Sequence, residues 1–276
     1  MQLLLDGTSV EALKSGDSDK EVIMLEMEGK VAVVTGGNSG IGFAIAQEFV
    51  EQGATVIVTG RRQDELDAAV AQLGPKSWGV RADVSSASDM QALYKAVIDK
   101  HGRLDSVIAN AGIGDHGPLA TITEDQFDNT FNIDAKGVLF TVQPAIPLLP
   151  SGGTIVILGS TASIQPPVGM SLYGGAKAAI RNFVRVWIQE IKGSGIRINV
   201  LSPGATDTPS LRSALAQALG AEGVPAAIKS MGEGSPLGRI AEPREIARAV
   251  LFLASDASSF VTGVELFADG GLAQVG

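Results

Sequence analysis

Short runs of consecutive apolar residues recur along the chain, and each is followed by a segment whose apolar positions have helical spacing. The runs that predict strands lie at 31–34, 55–59, 78–81, 106–109, 154–158, 196–201 and 264–267. The intervening helices are predicted at 41–52, 64–73, 88–101, from about 124, at 172–191 and at 243–254. A fully apolar strand is covered on both faces. The alternation therefore predicts an α/β fold with a single doubly wound parallel sheet of about seven strands and helices on both faces.

The two ends of the chain and one internal segment depart from this alternation. Residues 1–28 match no strand–helix unit and are expected to form an N-terminal extension. Residues 29–276 are expected to form one catalytic domain. Within it, residues 205–238 are rich in Ala, Gly, Ser and Pro, which predicts short helices in a mobile flap.

Composition excludes several classes of function. The formal net charge of -9 argues against a nucleic-acid surface, which needs a basic field. The chain has no cysteine, and His101 and His116 lie far apart, so no metal site is expected. No apolar run reaches the roughly 18 residues of a membrane span, and the N-terminus does not resemble a signal or transit peptide. We therefore expect a cytoplasmic protein with neither a membrane nor a nucleic-acid partner.

A glycine-rich turn joins the first predicted strand to the first predicted helix. Alone, the glycines Gly36, Gly40 and Gly42 would indicate only a tight turn. In an alternating α/β chain, however, this turn is where a dinucleotide pyrophosphate binds, on the exposed N–H groups of a helix N-terminus. We predict cofactor contacts from Gly36, Asn38, Ser39, Gly40 and Ile41.

The end of the second strand indicates which dinucleotide binds. An NAD site usually places a carboxylate there for the ribose hydroxyls, but this chain has Gly60 followed by Arg61 and Arg62. A 2′-phosphate needs a guanidinium and is repelled by a carboxylate. The sequence therefore predicts NADP in preference to NAD. The alternative is that both arginines are solvated, Arg62 more so than Arg61.

Two further turns are expected to contact the same cofactor. Asp83, just past the third strand, is placed to accept a hydrogen bond from the adenine amino group, with Val84 beside the ring. The alternative for Asp83 is an aspartate that only stabilises its turn. The small residues of Asn110-Ala111-Gly112, after the fourth strand, would allow close approach to the cofactor ribose.

Tyr173 and Lys177 stand four residues apart on a predicted helix and therefore share one face. A neighbouring ammonium favours the phenolate and so lowers the pKa of a phenol. A phenol tuned in this way can exchange a proton with a substrate oxygen. Alone, the pair is more typical of two amphipathic side chains on a helix face.

Taken together and in this order, the motifs resemble the short-chain dehydrogenase/reductase family. The resemblance covers about residues 28–274 and rests on the 35–42 loop, Asp83, the 110–112 turn, Ser160, Tyr173 with Lys177, and Pro203-Gly204 with Thr208. It implies a Rossmann-type fold and an oxidoreductase, a ketoreductase or alcohol dehydrogenase, that transfers a hydride between NADP(H) and a ketone or secondary alcohol.

The resemblance also implies roles for individual residues. Ser160 would hold the substrate oxygen, Tyr173 would be the general acid or base, and Lys177 would lower the pKa of Tyr173 and hold the nicotinamide ribose. Pro203, Gly204 and Thr206 would pass along the nicotinamide carboxamide, and Thr208 would contact that amide or the pyrophosphate.

One position departs from the family pattern. Where the family usually has an asparagine that supports a water and proton relay, this chain has Asp134, while Asn132 lies two residues earlier and faces elsewhere. An aspartate offers no amide donor unless protonated, although its backbone carbonyl could still hold the water. We therefore expect an altered relay in which activity survives, and Asp134→Asn should leave kcat unchanged or raise it.

The predicted substrate walls are mostly small or apolar. They comprise 114–119, 164–170 and the flap after Ala205. They favour a neutral ketone or alcohol, although Arg212 and Lys229 lie in the flap. The resemblance further implies a homotetramer that covers the edge strand at 264–267.

Two alternatives to this enzyme remain at the level of sequence. One is a catalytically weak NADP-binding regulatory protein on the same fold, which Asp134 favours and the intact Ser160, Tyr173 and Lys177 oppose. The other is a non-redox lyase or dehalogenase, which loss of the glycine loop would favour; the loop is present.

Overall fold

The computed structural model of the chain describes residues 25–114 and 116–275. Its strands form one seven-stranded sheet in the order β3-β2-β1-β4-β5-β6-β7, and every neighbouring pair is parallel. The strands are β1 (Val31–Thr35), β2 (Thr55–Gly60), β3 (Ser77–Arg81), β4 (Ser106–Ala109), β5 (Thr154–Leu158), β6 (Arg197–Pro203) and β7 (Glu265–Ala268). The predicted α/β doubly wound sheet is confirmed.

Helices cover both faces of this sheet. They are α1 (Gly40–Glu51), α2 (Gln63–Leu73), α3 (Ala87–His101), α4 (Glu124–Phe131), α5 (Gly137–Val142), α6 (Ser171–Glu190), α7 (Pro209–Leu219), α8 (Val224–Glu233) and α9 (Pro243–Ala254). The strand order reverses at β1, whose neighbours in the sheet are β2 and β4. The helical connections that lead to β2 and to β4 lie on opposite faces of the sheet, so a crevice opens beyond the carboxyl ends of β1 and β4.

Alternate residues of each strand supply two separate hydrophobic cores. In β1, Val31 and Val33 face the core formed with α3, α5 and α6, whereas Ala32 and Val34 face the core formed with α1, α2 and α9. Because both faces are buried, the central strands need continuous apolar sequences. This is the physical origin of the runs seen in the sequence.

The packed part of the chain begins earlier than the sequence indicated. Met27, assigned above to the N-terminal extension, is 1% exposed, lies in the core beside α1, and its N–H donates to Gln52 O at 3.0 Å. A methionine fills irregular gaps of this kind well. The remainder of the expected extension, residues 1–24, lies outside the described residues.

The long helix predicted from about residue 124 is interrupted. Between α4 and α5, residues Asn132–Lys136 form one turn of π-helix. Such a turn contains one extra residue compared with an α-helix and occurs frequently at functional sites. It places Ile133, Asp134 and Ala135 in the interior.

Candidate active site

A cleft of about 620 Å³ lies at the carboxyl ends of the strands, where the crevice was expected. It brings together most of the residues selected from the sequence. These are Gly36, Asn38, Ser39, Gly40, Ile41, Arg61, Arg62, Asp83, Val84, Asn110, Ala111, Gly112, Ser160, Tyr173, Lys177, Pro203, Gly204 and Thr208. The lining is therefore continuous from the glycine turn to the Tyr173–Lys177 pair.

The glycine turn at one end of the cleft lets a ligand come close to the backbone. Gly36 and Gly40 adopt positive φ angles of 65° and 55°, which L side chains rarely adopt. A side chain at Gly42 would collide with the Gly36 carbonyl oxygen. Ser39, the N-cap of α1, makes no side-chain capping bond, so the first N–H groups of this helix are open to an anion. These features fit the pyrophosphate of a dinucleotide.

Asn110 stabilises this turn from the neighbouring strand. Its side-chain amide donates to Thr35 O at 2.8 Å and to Gly36 O at 3.2 Å. Its backbone N–H donates to Thr35 Oγ1 at 3.0 Å. The amide expected to lie against a ribose is thus already used to hold the backbone of the glycine turn.

The arginines after β2 lie at the end of the cleft nearest this turn, and they differ in their partners. Arg62 forms an ion pair with Glu65, whose Oε2 also accepts from Asn38 Nδ2 at 2.8 Å. Within the described part of the chain, Arg61 makes no ion pair. The sequence reasoning missed Glu65; its place in the first turn of α2, where acidic residues are favoured, indicated only a helix start.

Two residues with expected cofactor roles also have structural ones. Asp83 Oδ1 accepts from both the N–H and the hydroxyl of Ser85, at 2.9 and 2.7 Å, so Asp83 does stabilise its turn. Thr208 Oγ1 accepts from Leu211 N–H at 3.2 Å and caps α7. Both nevertheless line the cleft.

Thr206 is the exception among the cofactor residues, because it does not line the cleft. It is 6% exposed, and its hydroxyl donates to Gly204 O at 3.1 Å. The residue pairs with Ala241 in a short parallel bridge. The hydroxyl of Thr206 thus stabilises the turn that carries Gly204, and contact of Thr206 with the carboxamide stays a prediction.

The proton-transfer end of the cleft is formed by two elements. Ser160 follows β5, and its Oγ accepts from Ala162 N–H at 3.1 Å in the following turn. Tyr173 and Lys177 lie on α6, with the Lys177 ammonium 5.5 Å from the centre of the Tyr173 ring. Lys177 is almost fully buried, and its Nζ donates to Leu158 O at 3.1 Å.

Asp134 lies behind this end of the cleft and contacts Lys177 directly. Its Oδ1 is 3.2 Å from Lys177 Nζ, and the carboxylate has no exposed surface. Burial raises the pKa of Asp134, with the Lys177 ammonium opposing that rise. Burial alone would lower the pKa of Lys177, but the charge of the Asp134 carboxylate and its hydrogen bond hold that pKa above its ordinary value. The altered relay expected at Asp134 stays a prediction, and the structure adds that the Asp134 side chain forms an ion pair with Lys177.

A carboxylate on the edge strand also supports the site and was missed by sequence reasoning. Glu265 Oε1 accepts from Ser202 Oγ at 2.7 Å and from Ser163 Oγ at 3.1 Å, and Glu265 pairs with Arg181. These partners come from three different segments. No local signal in the sequence links residues so far apart.

Comparisons with known proteins agree with this geometry. A family model described as enoyl-(acyl carrier protein) reductase matches residues 36–273. The chain is 45% identical over 251 residues to oxidoreductase asL5 of Sarocladium schorii, covering 90% of this chain and 98% of that protein.

Two solved structures have the same architecture. Ligand-free aldohexose dehydrogenase of Thermoplasma acidophilum superposes with a TM-score of 0.85 at 27% identity, covering 92% of this chain and 97% of that one. The 3-ketoacyl-(acyl-carrier-protein) reductase of Brucella melitensis, complexed with NADH, gives 0.80 at 28% identity, covering 90% and 99%. The chain belongs to the short-chain dehydrogenase/reductase family of oxidoreductases.

Among the described residues, no helix is long and apolar enough to cross a bilayer.

Proposed function

We propose that the chain is an NADP(H)-dependent oxidoreductase that interconverts a neutral ketone and a secondary alcohol, with Tyr173 exchanging the proton. One observation carries the proposal: Ser160, Tyr173 and Lys177 line the same cleft as the glycine turn at the start of α1. A cofactor whose pyrophosphate binds that turn can extend toward the Tyr173 phenol within one cleft.

Each residue at this end has a distinct task. The bound nicotinamide supplies or accepts the hydride. The Ser160 hydroxyl donates to the substrate oxygen and stabilises the negative charge that develops on it. Tyr173 gives its phenolic proton to that oxygen in reduction and removes it in oxidation. The Lys177 ammonium holds the ribose and stabilises the phenolate.

The preference for NADP is supported by the arginines. Arg61 lies in the cleft without a protein partner among the described residues, so its guanidinium is available to a 2′-phosphate. Position 60, where an NAD site usually has a carboxylate, is glycine. The neighbouring 3-ketoacyl reductase was solved with NADH, so cofactor preference must be measured for this chain.

A neutral substrate is supported by apolar side chains on the segments predicted to form the substrate walls. Leu119, Ile164 and Val168 are all exposed on the segments expected to form the substrate walls. The short helices α7 and α8 occupy the expected flap and would close over a bound substrate to exclude water. We further propose a homotetramer, as the family resemblance implies, and a cytoplasmic location, as the sequence pattern favours.

The test is a panel of neutral ketones and secondary alcohols assayed with NADPH and with NADH, using native protein and Tyr173→Phe. We expect turnover with NADPH and a loss of about a hundredfold or more in Tyr173→Phe, since general acid catalysis contributes at least that much. Tyr94→Phe is the matched control, because the Tyr94 hydroxyl donates to Thr141 O in the core, away from the cleft.

Two outcomes would count against the proposal. Full turnover in Tyr173→Phe would show that another group supplies the proton. Tight NADPH binding without turnover of any substrate would favour the regulatory alternative, which the substitution of the family's asparagine by Asp134 supports.

A further inference from the structure

Asp134 is a buried carboxylate that the proposed mechanism does not use. It does not line the cleft, and its side chain has no exposed surface. Its Oδ1 lies 3.2 Å from Lys177 Nζ, and the Ile113 N–H lies 3.3 Å from both carboxylate oxygens. The carboxylate is therefore held from two sides, by an ammonium and by a backbone donor.

Two local features create the space for this pair. The π-helical turn at Asn132–Lys136 directs Asp134 toward the interior, against α6. Gly112 has no side chain, and a Cβ at that position would lie 2.5 Å from Asp134 Oδ1 and 3.3 Å from Lys177 Nζ. The backbone at both positions thus accommodates a direct contact between carboxylate and ammonium.

Three neighbouring segments carry further polar or ionisable side chains that bear on Tyr173 and Lys177. The turn after β5 contributes the neutral hydroxyl of Ser160, which lines the same cleft as Tyr173 and Lys177. Further along α6, Arg181 forms an ion pair with Glu265, so the two charges offset each other. His116 lies in the loop after β4, where the neighbouring Gly117 N–H donates to Gly169 O at 2.8 Å.

We propose that Asp134 is the ionised counter-ion of Lys177 and that it keeps Tyr173 in its proton-donating form at neutral pH. This inference rests on the proposed function only for its catalytic consequence, since the charges themselves do not depend on substrate. Asp134 is thus a positioning residue that acts through Lys177. It makes the enzyme better suited to carbonyl reduction, which consumes the phenolic proton.

The sign follows from counting charges. With Asp134 ionised, Lys177 charged and Tyr173 protonated, the net charge of the three side chains is zero. Ionising the phenol then leaves one net negative charge in a buried site. In Asp134→Asn the net charge of the three side chains is plus one while Tyr173 is protonated, and ionising the phenol brings that net charge to zero. Phenolate formation is therefore easier in the variant, and the ionisation of Tyr173 should move to lower pH.

The chain allows this ionisation to be measured without any substrate. It has two tyrosines, Tyr94 and Tyr173. Burial raises the pKa of Tyr94 far above its ordinary value, so we expect the Tyr94 hydroxyl to stay protonated in the folded protein. An alkaline titration of tyrosinate absorbance in the folded protein therefore reports Tyr173 alone. We expect the midpoint to fall by about one pH unit in Asp134→Asn.

Three variants control the titration. Tyr173→Phe should remove the step in the folded protein, and His116→Gln should leave it unchanged. Asp105→Asn neutralises another buried carboxylate, which pairs with Arg103 beside the start of β4, and should not move the midpoint. An unchanged or higher midpoint in Asp134→Asn would overturn the proposal and indicate that Asp134 is neutral or only structural.

A second measurement covers the case in which Asp134→Asn does not fold. An ionised pair predicts that Lys177→Met is destabilised and that the double variant Asp134→Asn/Lys177→Met recovers part of the lost melting temperature, because no buried charge is left alone. If the double variant melts no higher than Lys177→Met, the proposal fails.

Kinetics then separate this inference from the proposed function. In Asp134→Asn, the alkaline decline of kcat/KM for reduction should move to lower pH together with the titration midpoint. If Tyr173→Phe abolishes turnover but Asp134→Asn changes neither the absorbance titration nor the pH dependence of kcat/KM, the proposed function stands and this inference fails. If no substrate turns over, the proposed function falls, and the absorbance titration still decides the role of Asp134.

Discussion

At the scale of single residues, the two arginines after β2 show how neighbours change the meaning of a side chain. Both follow the strand end where a 2′-phosphate would bind, and the sequence analysis expected Arg62 to be the more solvated of the two. Glu65 distinguishes them in the structure, because its carboxylate pairs with Arg62 and also accepts from Asn38. The Arg61 guanidinium is therefore the one of the two that can bind an anion.

We therefore expect Arg61→Ser to weaken NADPH binding about tenfold or more, with little effect on NADH, since a charge-assisted bond to phosphate is worth roughly 1.5–3 kcal/mol. Arg62→Ser is the matched control and should have the smaller effect, because its charge is already offset by Glu65. Dissociation constants from cofactor fluorescence titrations would test this. Equal effects of the two variants, or equal losses for both cofactors, would contradict it.

At the scale of elements, the edge strand β7 holds the active-site segments in place. Glu265 joins the turn carrying Ser163, the end of β6 at Ser202, and helix α6 at Arg181. Ser202 immediately precedes Pro203-Gly204, and Arg181 lies two turns beyond Tyr173. One carboxylate, 12% exposed, thus connects both sides of the cleft.

Replacing Glu265 with Ala should cost about 2 kcal/mol of unfolding free energy, because it leaves a partly buried guanidinium and two hydroxyl donors without their partner. It should also lower kcat more than it raises KM, since the proton-donating helix loses its register with the substrate. Denaturant melts and steady-state kinetics measure the two effects. The exposed Asp99, paired with Lys95 on α3, is the control, and Asp99→Ala should cost under about 1 kcal/mol. If Glu265→Ala keeps the native unfolding free energy and the native kcat, Glu265 does not hold these segments in place.

At the scale of the whole molecule, one side of the sheet ends at β7 without a further strand among the described residues. Large apolar side chains are exposed nearby, including Phe252, Phe260 and Val264. An exposed sheet edge with apolar surroundings favours association. This supports the proposed homotetramer.

We expect light scattering to give the mass of a tetramer for the native chain and a smaller species for Phe260→Asp. Phe260 is fully exposed, so its replacement should not disturb folding of the single chain. Val168→Asp alters an equally exposed residue on the substrate side and should leave the mass unchanged. A monomeric native protein, or a tetramer insensitive to Phe260→Asp, would argue against this surface.

The fold and most of the cleft lining could be predicted from sequence because they depend on local patterns. Continuous apolar runs specify strands covered on both faces, and a glycine turn after the first strand specifies where the crevice opens. Fixed spacing on one helix is enough to bring Tyr173 and Lys177 to the same face. These relations hold whatever the distant parts of the chain do.

Only the tertiary structure decided how the buried charges are paired. The contact of Asp134 with Lys177 depends on a π-helical turn, on the missing side chain of Gly112 and on the packing of α6 against that turn. The contacts of Glu265 join segments far apart in the chain, and those of Thr206 stabilise a turn that sequence assigned to the cofactor. Ion pairs form wherever folding leaves a charge without water, so their partners are set by proximity in space and not by spacing in the chain.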